Sequence, residues 1–144
     1  MQVSILLQAK GSTVVSVRPE TTVREVVDVL AQHRIGAVVV ARDGHEILGV
    51  LSERDIVRAL ARDGARSIEA PASSLMTVDV VTCQPDTTVE ELTATMTERR
   101  IRHVPVVVDG ELVGLVSIGD VVKHHIASLE VESQALHDYI SHPY

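Results

Sequence analysis

The chain has 144 residues, a formal charge of −7 and two tyrosines as its whole aromatic content. That charge gives no basic footprint for a phosphate backbone, and there is almost nothing for bases to stack on, so DNA and RNA are excluded as partners. No run approaches the roughly eighteen apolar residues of a membrane span, and the single cysteine cannot form an internal disulfide.

Met1 to Gly11 has neither a basic start nor a long uninterrupted apolar core, so a short helix is expected there rather than a signal peptide, in a cytoplasmic protein. From Val15 onward the chain states one unit twice. Val15-Ser-Val-Arg-Pro-Glu-Thr-Thr-Val-Arg-Glu25 returns as Val81-Thr-Cys-Gln-Pro-Asp-Thr-Thr-Val-Glu-Glu91, and Gly49-Val-Leu-Ser-Glu-Arg-Asp55 returns as Gly114-Leu-Val-Ser-Ile-Gly-Asp120. An internal repeat of this length fixes the architecture before any single element is assigned. Each copy opens with a short Val-rich strand, followed by a capping box, Thr22-x-x-Glu25 or Thr88-x-x-Glu91, that announces a helix. Val23, Val26, Val27 and Leu30 then fall at helical spacing, as do Val89, Leu92 and Met96. The apolar runs Ala37 to Val40 and Val104 to Val108 are joined through Asp43-Gly44 and Asp109-Gly110 to return strands at Ile47 to Leu51 and Leu112 to Val116, since Asp-Gly between strands is a hairpin signal. Helices begin near Ser52 and Ser117.

The unit is therefore β-α-β-β-α, an α/β fold with a small mixed sheet and helices on one face, in two copies about a pseudo-two-fold axis. The boundaries are read as repeat 1 at 1–62, a linker at 63–74 with a helical turn before Met76, repeat 2 at 75–127 and a helical tail at 128–144. Cys83 lies in a strand pattern and is expected to be a small buried hydrophobe rather than a reactive thiol. Val122, Ile126, Leu129, Leu136 and Ile140 draw an apolar stripe along the tail. Docking on its own sheet is the first expectation for that helix, and a dimer seam the second.

Ser52 and Ser117 stand where a strand ends and a helix begins. The next backbone N–H groups are unpaired there and the helix dipole favours an anion, so a phosphate fits the position. Asp55 and Asp120 lie one turn deeper, where a carboxylate can accept from both hydroxyls of a ribose. Ser-x-x-Asp is equally a capping box that serves only the helix, and the residues alone leave both readings open. No Cys, His or carboxylate set has metal-ligand spacing, no serine sits in a nucleophile elbow, and the glycines form neither phosphate-loop nor dinucleotide fingerprints, so neither a metal, nor an obligatory cofactor, nor catalysis is expected.

The paired pattern Pro-x-x-Thr-Val, Ile-x-x-Val-x-Val, Asp-Gly and Gly-x-x-Ser-x-x-Asp resembles the tandem cystathionine-beta-synthase (CBS) domain family over about residues 1 to 125. The resemblance implies a stand-alone CBS pair that binds adenosine-containing nucleotides in clefts between its repeats and regulates a partner enzyme or transporter. It implies ribose contacts for Asp55 and Asp120, and phosphate or ribose contacts for Ser52 and Ser117. The copies differ at one edge: Gly36-Ala37 in the first stands against Arg102-His103 in the second, which follow Arg99 and Arg100 in a last helical turn where dipole compensation explains them equally well. By resemblance, Arg102 and His103 fall at the mouth of the Asp120 cleft, with Ile35, Gly36, Thr13 and Val15 supplying backbone to an adenine edge. The Asp55 cleft correspondingly uses Ile101, Arg102, Asp79 and Val81, and Arg54 (Gly119 in the other copy) replaces the missing Arg-His charge. The two sites are thus non-equivalent, with the Asp120 site expected to be the better for AMP, ATP or NAD. Ligand contacting both repeats would signal by changing how the halves, or the two protomers of a homodimer, pack. The rival readings are a dimerisation scaffold whose motifs only cap helices, and an S-adenosylmethionine binder that needs the ribose contacts but not Arg102 and His103.

Overall fold

The computed structural model describes residues 1–141. Its elements are α1 (Val3–Lys10), β1 (Ser16–Val17), α2 (Val23–His33), β2 (Ala37–Ala41), β3 (Ile47–Ser52), α3 (Glu53–Asp63), a 3₁₀ turn (Gly64–Glu69), α4 (Ala72–Leu75), α5 (Val89–Arg99), β4 (His103–Val108), β5 (Glu111–Ser117) and α6 (Ile118–Ser141). The local signals act as their chemistry dictates. The Thr22 hydroxyl accepts from the Glu25 N–H at 3.2 Å while the Glu25 carboxylate accepts from the Thr22 N–H at 2.9 Å, and Thr88 with Glu91 repeats the pair at 3.1 and 3.0 Å. At Asp109-Gly110 both residues have positive φ, 52° and 80°, as a tight two-residue hairpin turn requires.

In the first copy β1 runs parallel to β2, which pairs antiparallel with β3; in the second β4 and β5 form an antiparallel pair. The strand expected around Val81 to Cys83 is reduced to one parallel bridge, Cys83 to Val106. The cause is a proline. Val39 of β2 donates its N–H to Val15 at 3.3 Å, and its counterpart in β4 is Pro105, which has no N–H to give.

The repeats exchange their flanking helices. Helix α1, which the sequence boundaries group with the first repeat, buries Val3 and Leu6 in the core of the second, with Leu92, Met96, Val104, Val106 and Val116. The segment read as a linker buries Ala72 in the core of the first, with Val23, Val26, Val38, Val40 and Leu51. Equivalent backbone bonds hold the two: Val3 N–H to Thr87 O at 2.8 Å and Ala72 N–H to Thr21 O at 2.7 Å. Two glycines make the room. A Cβ on Gly114 would stand 2.6 Å from Leu7 Cδ2 of α1, and one on Gly49 would stand 2.6 Å from Met76 Sδ and 2.8 Å from the Thr77 carbonyl oxygen.

The tail departs from its first expectation. Val121 joins the second core and Ile118 packs against it, but Val122, Ile126, Leu129, Leu136 and Ile140 are exposed, so the stripe is not covered by the helix's own sheet. Residues 142–144 of the tail lie outside the described residues.

Candidate functional site between the repeats

Helices α3 and α6 each start without a loop after a strand, and both Ser-x-x-Asp motifs close as capping boxes. Asp55 Oδ2 accepts from the Ser52 N–H and the Ser52 hydroxyl, both at 2.9 Å, while Ser52 Oγ accepts from the Asp55 N–H at 3.3 Å. Asp120 Oδ2 accepts from the Ser117 N–H at 2.8 Å and its hydroxyl at 3.0 Å, and Ser117 Oγ accepts from the Asp120 N–H at 3.2 Å. The first amides are used as well: Glu53 N–H donates to Gly36 O at 2.9 Å and Ile118 N–H to Arg102 O at 2.8 Å. The helix ends therefore offer an anion fewer free N–H groups than the motif alone suggests. Each aspartate keeps its second oxygen, which has no hydrogen-bond partner among the described residues.

The two ends differ in what stands before them. At Asp120 the protein supplies its own cation: Lys10, the last residue of α1, donates to Asp120 Oδ2 at 2.6 Å and to Leu115 O at 2.7 Å. Partial burial acts to raise the Asp120 carboxyl, but the Lys10 ammonium and the Ser117 donors outweigh it and hold it below its ordinary range.

At Asp55 there is an open cleft of about 310 Å³, at the lower end of the roughly 300–1,000 Å³ typical of small-molecule sites. Its walls come from both repeats. Gly36, Ser52, Arg54 and Asp55 belong to the first; Asp79, Val81, Ile101, Arg102 and His103 belong to the second or to the segment leading into it. The structure thus brings together nine of the sequence-derived candidates and leaves Thr13, Val15, Ile35, Ser117 and Asp120 off this cleft. Arg102, expected at both clefts, and His103, expected at the mouth of the Asp120 cleft, both border the Asp55 cleft, and His103 stays within reach of the Lys10 and Asp120 charges. The reason is that the edges Gly36-Ala37 and Arg102-His103 meet: a Cβ on Gly36 would lie 3.4 Å from His103 Cε1, so the imidazole packs on the bare glycine of the other copy. Burial depresses the His103 pKa, with Lys10 and Arg102 pushing it the same way against Glu53 and Asp120, so the ring is neutral at pH 7.

Arg58, Arg99 and Arg100 also line the cleft, with Glu53 and Thr77. Arg58 was legible as the residue one helical turn after Arg54 on the same face. Arg99 and Arg100 could not be told from helix-end charges, and Arg100 does terminate α5, in the left-handed region at φ 55°. Five arginines, of the 13 lysines and arginines in a chain of charge −7, therefore converge on one cleft. Among the described residues none of the five has a carboxylate oxygen within 4.0 Å. Cys83 is buried, which pushes its thiol up to about 11.

Two copies of one unit, with a shared cleft that takes its walls from both, define a tandem-repeat module. The chain belongs to the CBS domain family, whose model matches residues 11–62 and 72–126. It is 45% identical to a CBS-domain containing protein of Agrobacterium tumefaciens of known crystal structure, with a TM-score of 0.84 over 87% of this chain and 99% of that one. It is 34% identical to a CBS domain protein of Pyrobaculum aerophilum solved in complex with AMP, with a TM-score of 0.74 over 83% of this chain and 89% of that one. Among curated relatives, a mitochondrial CBS domain-containing protein of Arabidopsis thaliana is 36% identical over 129 residues, which span 87% of this chain and 63% of the relative's length. Among the described residues no helix is long and apolar enough to cross a membrane.

Proposed function

We propose that the Asp55 cleft binds an adenosine nucleotide carrying phosphate, such as AMP, ATP or NAD, and that the protein is a regulatory sensor rather than an enzyme. The observation that carries this reading is the convergence of five arginines without a carboxylate partner beside an aspartate with a free oxygen. The five arginines are exposed along the cleft, free to turn toward an incoming anion, and arginine is the residue suited to bidentate phosphate contacts. The AMP complex of the Pyrobaculum relative supports adenosine as the rest of the ligand.

In this reading Asp55 Oδ1 accepts from the ribose hydroxyls, leaving Oδ2 to the cap. The arginines from α3 and from the end of α5 hold the phosphate, while backbone groups near Val81 and Ile101 take the adenine edge. The neutral His103 donates or accepts at the inner wall. Because both repeats contribute walls, ligand stabilises one packing of the two and can bias a partner protein only through that difference. The Asp120 cleft has second place, since a nucleotide there competes with Lys10 for the aspartate.

Calorimetric titration with AMP and S-adenosylmethionine tests the reading. Arg102→Ala should weaken AMP at least about tenfold, one charged hydrogen bond contributing roughly 1.5–3 kcal/mol, and should leave S-adenosylmethionine less affected. Equal losses would remove the phosphate role, and no AMP binding to the wild type would leave a scaffold whose motifs cap helices.

A further inference from the structure

Helix α6 runs on for roughly 30 Å past Val121, its last buried residue, at about 1.5 Å per residue. Along it Val122 is 50% exposed, Ile126 and Leu129 52%, Leu136 62% and Ile140 74%. Their spacing alternates between four and three, with Ser133 filling the missing step. This is the heptad seam of a coiled coil: Ile126, Ser133 and Ile140 at a, and Val122, Leu129 and Leu136 at d. Within parallel coils, isoleucine at a with leucine at d is the combination that favours two strands over three or four.

Charge decides the orientation. In a parallel pair each g residue meets the following e residue of the other helix, which sets His125 against Glu130 and Glu132 against His137 of the second copy. Antiparallel stacking of the same apolar layers would set Glu130 against Glu130 and Glu132 against Glu132, a like-charge penalty at both flanks. We infer that α6 pairs with α6 of a second copy of this chain as a parallel, in-register two-stranded coil. The seam is independent of what occupies the Asp55 cleft. It ties two cleft-bearing bodies together at one end, with the helix leaving directly from the Ser117-Asp120 cap.

Full-length protein carrying Ser133→Cys, oxidised mildly and run on a non-reducing gel, is the direct test, the buried Cys83 being the internal control. The parallel seam predicts a covalent dimer. An antiparallel dimer faces Ser133 with Leu129 and leaves the variant monomeric on the gel, which would overturn the inference. Sedimentation velocity of Leu129→Glu/Leu136→Glu supplies the second arm. Both leucines are exposed, so the fold and its thermal unfolding should be unchanged while the dimer dissociation constant rises at least about a hundredfold. A dimer as tight as the wild type would put the interface elsewhere.

Discussion

Lys10→Met removes one ammonium and keeps most of the aliphatic stem. In the protein that ammonium joins the end of α1 to two places in the second repeat, Asp120 Oδ2 at 2.6 Å and Leu115 O at 2.7 Å. A charged hydrogen bond contributes roughly 1.5–3 kcal/mol when well shielded. The Lys10 side chain is 37% exposed and Asp120 22%, so solvent screening brings the expected loss to about 1 kcal/mol, or about 3 °C in Tm for a chain of this size. The pH dependence follows from the sign of the aspartate shift. A carboxyl held below its unfolded value of 3.8 contributes stability that is present above that pH and is lost as pH falls through the folded value. The deficit of the variant is therefore full at pH 7 and shrinks only in the acid range. Lys10 also helps depress His103, so its removal should move the His103 titration upward, read by NMR of the imidazole protons. An unchanged melting temperature at pH 7 together with an unmoved His103 titration would refute the Lys10 contact.

The two packing glycines should respond unequally. Gly49→Ala meets the Thr77 backbone oxygen and should destabilise by about 1–3 kcal/mol, whereas Gly114→Ala meets only the mobile end of Leu7 and should lose less in denaturant unfolding; equal losses would contradict the fit of α1 on β5. Native Cys83, buried and with its thiol pushed up to about 11, should resist alkylation at pH 8 and react only on unfolding, which mass spectrometry of iodoacetamide-treated protein would read. His103 should destabilise the fold as pH falls below about 6.5: its folded pKa is depressed, so the unfolded chain binds the proton first and stability drops toward lower pH. His103→Gln should flatten that part of the stability profile.

What was legible in the chain was local. The four capping boxes and the Asp109-Gly110 turn follow from residues a few positions apart, and the duplication carried the architecture. What was not legible depends on pairings between distant segments. Nothing near Met1 reports that Gln2 bridges Thr88, so α1 could not be assigned to the second core, and the lost strand before α5 depends on Pro105 lying opposite it. The functional asymmetry was visible as a difference between Gly36-Ala37 and Arg102-His103, yet the cleft it serves follows from how the two edges meet. Lys10 carried no signal, because a lysine ending a short helix reads as dipole compensation. The heptad spacing in the tail could be read, but only its exposure in the fold separates a free seam from a docked face.

Asp55→Ala and Asp120→Ala each delete the capping acceptor at the start of one helix, the second together with the Lys10 contact. Calorimetric AMP titration of the two variants beside the wild type tests most directly where the nucleotide sits. With the arginines gathered at Asp55 and Lys10 holding Asp120, Asp55→Ala should weaken AMP at least about tenfold while Asp120→Ala leaves the affinity near that of the wild type. The reverse order, or equal losses, would contradict the assignment of the nucleotide to the Asp55 cleft.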